Sequence, residues 1–190
     1  MSSSNDLLER HRIACNGFAD VTHRVAPEQW SAPTPCPEWN ARDLVEHVIG
    51  FHEFLLLGPL GVRAHRPRVG SRPRWLATDR AVRAVLYDPG ALDRTAPYFD
   101  GSSRRPRDVL AALANDTLVH TWDLARAVGL PDRLPSGACE LAYVDARAVG
   151  HAAAGLFAAA VTVPDGAPTQ DRLLGLLGRD PRWRPPGGPG

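Results

Sequence analysis

Apolar residues recur at helical spacing in several separate stretches of the chain. Wound as a helix, residues 5–25 place Leu7, His11, Ala14, Phe18, Val21 and Val25 on one face. The segment that follows, Ser31-Ala-Pro-Thr-Pro-Cys-Pro-Glu-Trp39, holds three prolines and cannot continue a regular helix. A second helix is expected over residues 40–57, with Asn40 as N-cap, Asp43 in the first turn and Gly58-Pro59 as the stop. Leu44, Val48, Phe51 and Leu55 form its stripe, and His47 and His52 lie on the two flanks. Residues 59–74 read as a basic loop and residues 75–87 as a third helix ended by Asp88-Pro-Gly90. The fourth helix, residues 106–128, has Pro106 at its start, Gly129 past its end and Pro131 beyond.

Ser136 suits the cap of a fifth helix reaching residue 160, with a small-residue face of Ala148, Ala152 and Gly155. Thr169 suits the cap of a short last helix over 170–177. Alternating β-branched runs are scarce, so strands have little support. The pattern therefore predicts an all-α protein: an up-down four-helix bundle with additional short helices.

With 190 residues, 44% hydrophobic and 23% charged, the chain fits one globular domain, read as residues 1–184, with 185–190 as a disordered Pro/Gly tail. The 22 basic and 21 acidic side chains nearly cancel, which leaves no electrostatic footprint for nucleic acid or an anionic membrane. No apolar run approaches the roughly 20 residues that span a bilayer. Met1 to Glu9 lacks the basic and apolar regions of a signal peptide, so a cytoplasmic location is expected. Cys15, Cys36 and Cys139 are widely spaced with no CxxC pair, and read as three reduced thiols.

Chemistry enters on the fourth helix. Its core stripe runs Val109, Leu113, Asp116, His120, Leu124 and Ala127, so an acid and an imidazole sit mid-stripe among apolar residues. Buried, such a pair is costly unless it is paired or binds a cation. Its i, i+4 spacing puts both on one face, as one helix offers two ligands to one metal. A salt bridge or a satisfied core histidine uses the same spacing. A third ligand must come from elsewhere, and periodicity alone leaves His47, His52, His11 and His151 open. Asp123 and Trp122 are candidates for orienting a ligand and for a pocket wall, with capping and packing as the alternative.

Two segments carry a resemblance. Trp30-Ser-Ala-Pro-Thr-Pro-Cys-Pro-Glu-Trp39 followed by Ala41-Arg-Asp-Leu-Val-Glu-His47-Val-Ile-Gly50, and later Asp116-Thr-Leu-Val-His120-Thr-Trp-Asp-Leu-Ala125, resemble the mycothiol-dependent maleylpyruvate isomerase family of the DinB-like superfamily. The segment from Pro168 to Pro181, ending near Trp183, is similar to a subfamily of short actinobacterial metal-binding proteins. The resemblance implies a DinB-like four-helix bundle with a divalent metal held by His47, Asp116 and His120. His47, inside the motif, is preferred to His52, which becomes a pocket or structural residue. Asp116 stands where the isomerase has glutamate, and the isomerase's additional C-terminal domain is not expected here; both count against that specific reaction.

Two histidines and one carboxylate leave coordination positions open, which suits zinc, or nickel or iron, in a catalytic site. The implied chemistry is that of a thiol-linked transferase or isomerase, in which the metal turns a thiol such as mycothiol into a nucleophile against a small electrophilic substrate. A biosynthetic tailoring enzyme, cyclase or isomerase, that uses no thiol is the second expectation, and a non-catalytic metal-binding protein the third. Arg80, Arg83 and Arg126 are candidates to hold an anionic substrate, or else solvated surface charges. Cys36 lies near a helix N-terminus that would activate it, but its place between Pro35 and Pro37 matches the family's turn and favours a structural role. Such bundles often pair, so a homodimer is a further expectation.

Overall fold

A computed structural model describes residues 4–68, 70–88, 90–149 and 158–186. Six α-helices account for most of them: α1 (Ser4–Arg24), α2 (Ala41–His52), α3 (Ser71–Leu86), α4 (Pro106–Ala127), α5 (Ser136–Val149) and α6 (Thr169–Leu176). A two-stranded antiparallel ribbon, β1 (Ala96–Pro97) with β2 (Ser103–Arg104), lies between α3 and α4. The all-α expectation holds, and this ribbon is the small exception.

The first four helices close a ring in which α1 packs on α4 and α3, and α2 packs on α3 and α4. Helices α5 and α6 pack on one another and cover α4 and α1 from outside. Two apolar clusters fill the bundle. One gathers Phe18, Val21, Leu44, Val48, Trp75 and Leu124; the other gathers Leu56, Leu57, Val82, Leu86, Leu110 and Leu113. Between them, in chain order along each helix, lie polar residues: His11 on α1, His52 on α2, Asp79 on α3, and Asp116 and His120 on α4.

Local chemistry sets the helix ends. The Asn40 side chain accepts from the amides of Arg42 (2.9 Å) and Asp43 (3.1 Å), and Asp43 accepts from the Asn40 amide, a reciprocal cap. Beyond His52 the chain stays helical but widens into a π-turn, Glu53–Leu57, closed by the Gly58 amide on the Glu53 carbonyl at 2.7 Å. Helix α4 ends on Gly129 at φ +70°, with the Leu130 amide returning to the Ala125 carbonyl.

Four boundaries differ from the sequence reading. Helix α3 begins at Ser71 rather than 75, because Pro73 falls in the first turn, where a missing amide proton costs nothing. Ser136 and Thr169 are the first residues of α5 and α6, not their caps. Helix α5 is described only to Val149, where Ala148 is exposed; residues 158–160 are not helical, and Ala152, Gly155 and His151 lie outside the described residues, as does the tail from 187.

Candidate metal centre

His52 follows His47 by five positions, so α2 turns the first toward α4 and the second toward α1. His47 Nε2 lies 3.3 Å from Asp116 Oδ1, and His120 Nε2 lies 3.4 Å from the same oxygen. One ligand atom from each of the three falls within 4.8 Å of the others. Their side chains grade from closed to open: His120 is 6% exposed, Asp116 18% and His47 32%. The cluster thus has a buried floor and a side open to solvent.

A second group fixes the floor. His120 Nδ1 donates to Asp123 Oδ2 at 2.9 Å, which leaves Nε2 directed at Asp116. Asp123 is fully buried and also accepts from Arg179 Nη2 (3.1 Å) and from the Cys36 thiol (3.3 Å). Arg179 Nη2 reaches the Cys36 sulfur as well, at 3.3 Å. The turn after α6 delivers that arginine: Gly178 takes φ +80°, and the Arg179 amide closes back on the Leu174 carbonyl.

The proline-rich loop delivers Cys36 and Trp39. The Thr34 hydroxyl donates to the Trp39 carbonyl and accepts from the Cys36 amide, and the Ala41 amide donates to the Ala32 carbonyl. Folded back in this way, the loop lays the Trp39 ring 4.7 Å from that of His47 and 5.9 Å from that of His120. Phe51 stacks on the other side of His47 at 5.8 Å.

Two carboxylates, Asp116 and Asp123, face one permanent cation, the Arg179 guanidinium, and draw the His120 imidazole toward its charged form. Burial works against a charged His120, but Asp116 and Asp123 outweigh it and hold the imidazole well above its usual pKa. Burial likewise works against the Asp116 carboxylate, and His120 and His47 outweigh it and hold it below the usual range. Asp116 Oδ2 is buried without a hydrogen-bond partner. An orphaned carboxylate oxygen beside two imidazole nitrogens is a donor set that fits a divalent cation.

Not every sequence candidate arrives here. His52 is fully buried against His11 and Cys15 instead. Trp122 is buried toward the α5 and α6 side, with Arg126 over its ring, and so is not the pocket wall that Trp39 is. Arg80 is exposed and returns to the Leu76 carbonyl. Arg83 pairs with Asp79 and Asn16, and Arg126 with Asp132 and the Pro181 carbonyl, so none of these arginines reaches the cluster. Sequence reasoning missed Arg179 and Trp39. Both lie inside segments that carry the resemblance, but their side-chain directions depend on turns that periodicity does not describe.

Two uncharacterized proteins from two strains of Mycobacterium tuberculosis are each 34% identical to the chain over 188 residues, covering 93% of this chain and 100% of the relative. The mycothiol maleylpyruvate isomerase N-terminal domain family matches residues 11–68. The chain belongs to this DinB-like superfamily. The crystal structure of the mycothiol-dependent maleylpyruvate isomerase superposes with a TM-score of 0.52 at 12% identity, over 77% of this chain and 72% of that one. At that identity the likeness establishes the DinB-like fold. The matched segment includes His11, His47 and His52 and stops before α3, so Asp116, His120, Asp123 and Arg179 lie outside it. Among the described residues no helix is long and apolar enough to cross a membrane.

Proposed function

We propose that this DinB-like protein is a divalent-metal-dependent enzyme of the thiol-linked transferase or isomerase type, acting on a small electrophilic metabolite. The metal is held by His47, Asp116 and His120. The observation that carries the reading is the open-sided triad itself: two imidazoles and a carboxylate with an orphaned buried oxygen, converging from α2 and α4.

The protein's own groups have distinct tasks. Asp123 accepts a hydrogen bond from His120 Nδ1–H, which fixes the tautomer that presents Nε2 to a cation. Arg179 and the Cys36 thiol hold Asp123 in that position. Trp39 and Phe51 flank His47 and keep the exposed rim apolar, which favours entry of an organic thiol and its electrophile over bulk water. A cation bound there supplies Lewis acidity, which lowers the pKa of a low-molecular-weight thiol. The solved structure that shares this fold is described as a mycothiol-dependent isomerase, which makes mycothiol the first thiol to test. Zinc suits two imidazoles and one carboxylate, and nickel or iron fit the same set.

The test loads the metal-free chain with zinc, and separately with nickel, and measures the retained ion by elemental analysis and mycothiol binding by calorimetry. One ion per chain and thiol binding confined to the metal-loaded form are expected. His120→Ala loses both, whereas His52→Ala retains the ion. Equal metal loss in the two variants would assign the wrong α2 histidine, and thiol binding that ignores the metal would remove the thiol from the mechanism.

A further inference from the structure

A second cluster of metal-ligating side chains lies inside the bundle, on the opposite flank of α2. His11 and Cys15, one turn apart on α1, meet His52 at the end of α2, and all three are buried. His11 Nε2 lies 3.1 Å from His52 Nε2, and the Cys15 sulfur lies 3.5 Å from His11 Nε2 and 3.8 Å from His52 Nε2. A single ion bonded at about 2.0 Å to nitrogen and about 2.3 Å to sulfur, with angles of about 110–120°, separates its ligand atoms by roughly 3.3–3.8 Å. The observed triangle comes within a few tenths of an ångström of that shape.

Donor orientation agrees with the distances. His52 Nδ1 donates to the Val48 carbonyl at 2.8 Å, so its Nε2 lone pair points at the other two residues. Burial first, then the neighbouring imidazole and Arg83, keeps His11 neutral, with its pKa down at about 3. Without an ion, His11 Nε2–H donates to His52 Nε2 at 3.1 Å; both rings are neutral, and each offers an Nε2 lone pair once the His11 proton moves to Nδ1. The walls are apolar, since Trp75 packs edge-on against His52 at 5.5 Å and against Phe18 at 4.9 Å. Of the charges that act on the cluster, Asp79 and Arg83 are paired with each other at 2.8 Å, and Asp116 of the triad also acts on His52.

We infer that His11, Cys15 and His52 form a second metal site that takes a monovalent thiophilic cation of the copper(I) type. One thiolate and two neutral imidazoles balance a single positive charge, which is what a dry, closed pocket tolerates. A divalent ion would leave an unbalanced charge there. Soft thiolate ligands suit copper(I) as they do zinc, and the single charge is what favours copper(I) here. As the ion enters, the thiol proton leaves to solvent and the S–H bond is replaced by a bond from sulfur to metal; no oxidant or reductant is required. This inference does not rest on the proposed function, because it shares no residue with the triad.

The probe is copper(I) alone, titrated anaerobically into the metal-free full chain against a colorimetric copper(I) chelator. Wild type is expected to hold one copper(I), and so is the double variant His47→Ala/His120→Ala, which lacks the other site. Cys15→Ser is expected to lose at least about 100-fold in affinity, the upper end of what even a supporting partner costs. Cys36→Ser and Cys139→Ser are expected to bind as wild type does. Copper X-ray absorption on the wild-type chain checks the site without relying on any variant, and one sulfur with two imidazole nitrogens is expected. A wild-type chain that holds no copper(I), an ion kept equally by Cys15→Ser, or a shell without sulfur would overturn the inference.

Discussion

At the residue scale the unusual group is Asp123. This fully buried carboxylate gathers three donors on Oδ2, an imidazole, a guanidinium and a thiol, while its Oδ1 has none. Burial alone would raise its pKa, but His120 and Arg179 outweigh that and keep it ionised. Its consequence is felt three residues back along α4, in the direction of His120 Nε2. Replacing it with the near-isosteric Asn removes charge while keeping shape, so the expected loss falls on metal affinity. Partners of this kind are worth about 10–100-fold in metal binding. Competition with a chelating dye gives the number for Asp123→Asn, and an affinity equal to wild type would mean that the imidazole needs no such anchor. Asp116 and His120 were legible in the sequence because two ionisable side chains interrupt an otherwise apolar stripe. The same reasoning left Asp123 undecided, since three polar neighbours from a loop, a helix and a distant turn leave no periodic mark.

At the scale of elements, helix ends position the site more than helix bodies do. Gly129 and Gly178 both sit just past a helix with positive φ, at +70° and +80°. Alanine at either position takes on strain of roughly 1–2 kcal/mol. The two differ in surroundings: a Cβ at Gly129 meets open space, whereas at Gly178 it would come within 2.8 Å of the Ala158 carbonyl oxygen. Gly178→Ala is therefore expected to destabilise more, and to weaken metal binding, because Arg179 follows directly. Gly129→Ala should cost stability only. Urea unfolding of the two metal-free variants, with metal titrations alongside, separates these outcomes; equal metal affinity in both would break the link from turn to Arg179 to Asp123. Gly129 announced itself in the sequence, with Pro131 behind it. Gly178 follows the expected last helix, 170–177, but nothing in so short a helix marked the turn that hands Arg179 to Asp123. The start of α3 was hidden differently: Pro73 reads as a loop residue until the first turn of a helix is allowed to hold it.

Across the whole molecule, the bundle core is two apolar ends with polar residues between them, and that division bears on stability. His47 and Asp116 are 69 residues apart, and an ion shared between them would tie α2 to α4. Without it, Asp116 Oδ2 stays buried and unpartnered, an arrangement that costs about 1–3 kcal/mol. A ligand that binds only the folded chain adds about 4 kcal/mol at a free concentration a thousandfold above its Kd. For a chain of this length each kcal/mol moves Tm by about 2–4 °C, so stripping the divalent ion should lower Tm by roughly 10 °C. The sign is fixed by linkage and not by any detail of geometry. His47→Ala supplies the control: lacking the α2 ligand, it should melt near the metal-free wild type and show little response to chelator. Calorimetric scans of both proteins, with and without zinc, settle the matter. A wild-type Tm indifferent to zinc, or a His47→Ala variant that responds as strongly, would mean that no ion bridges these two helices.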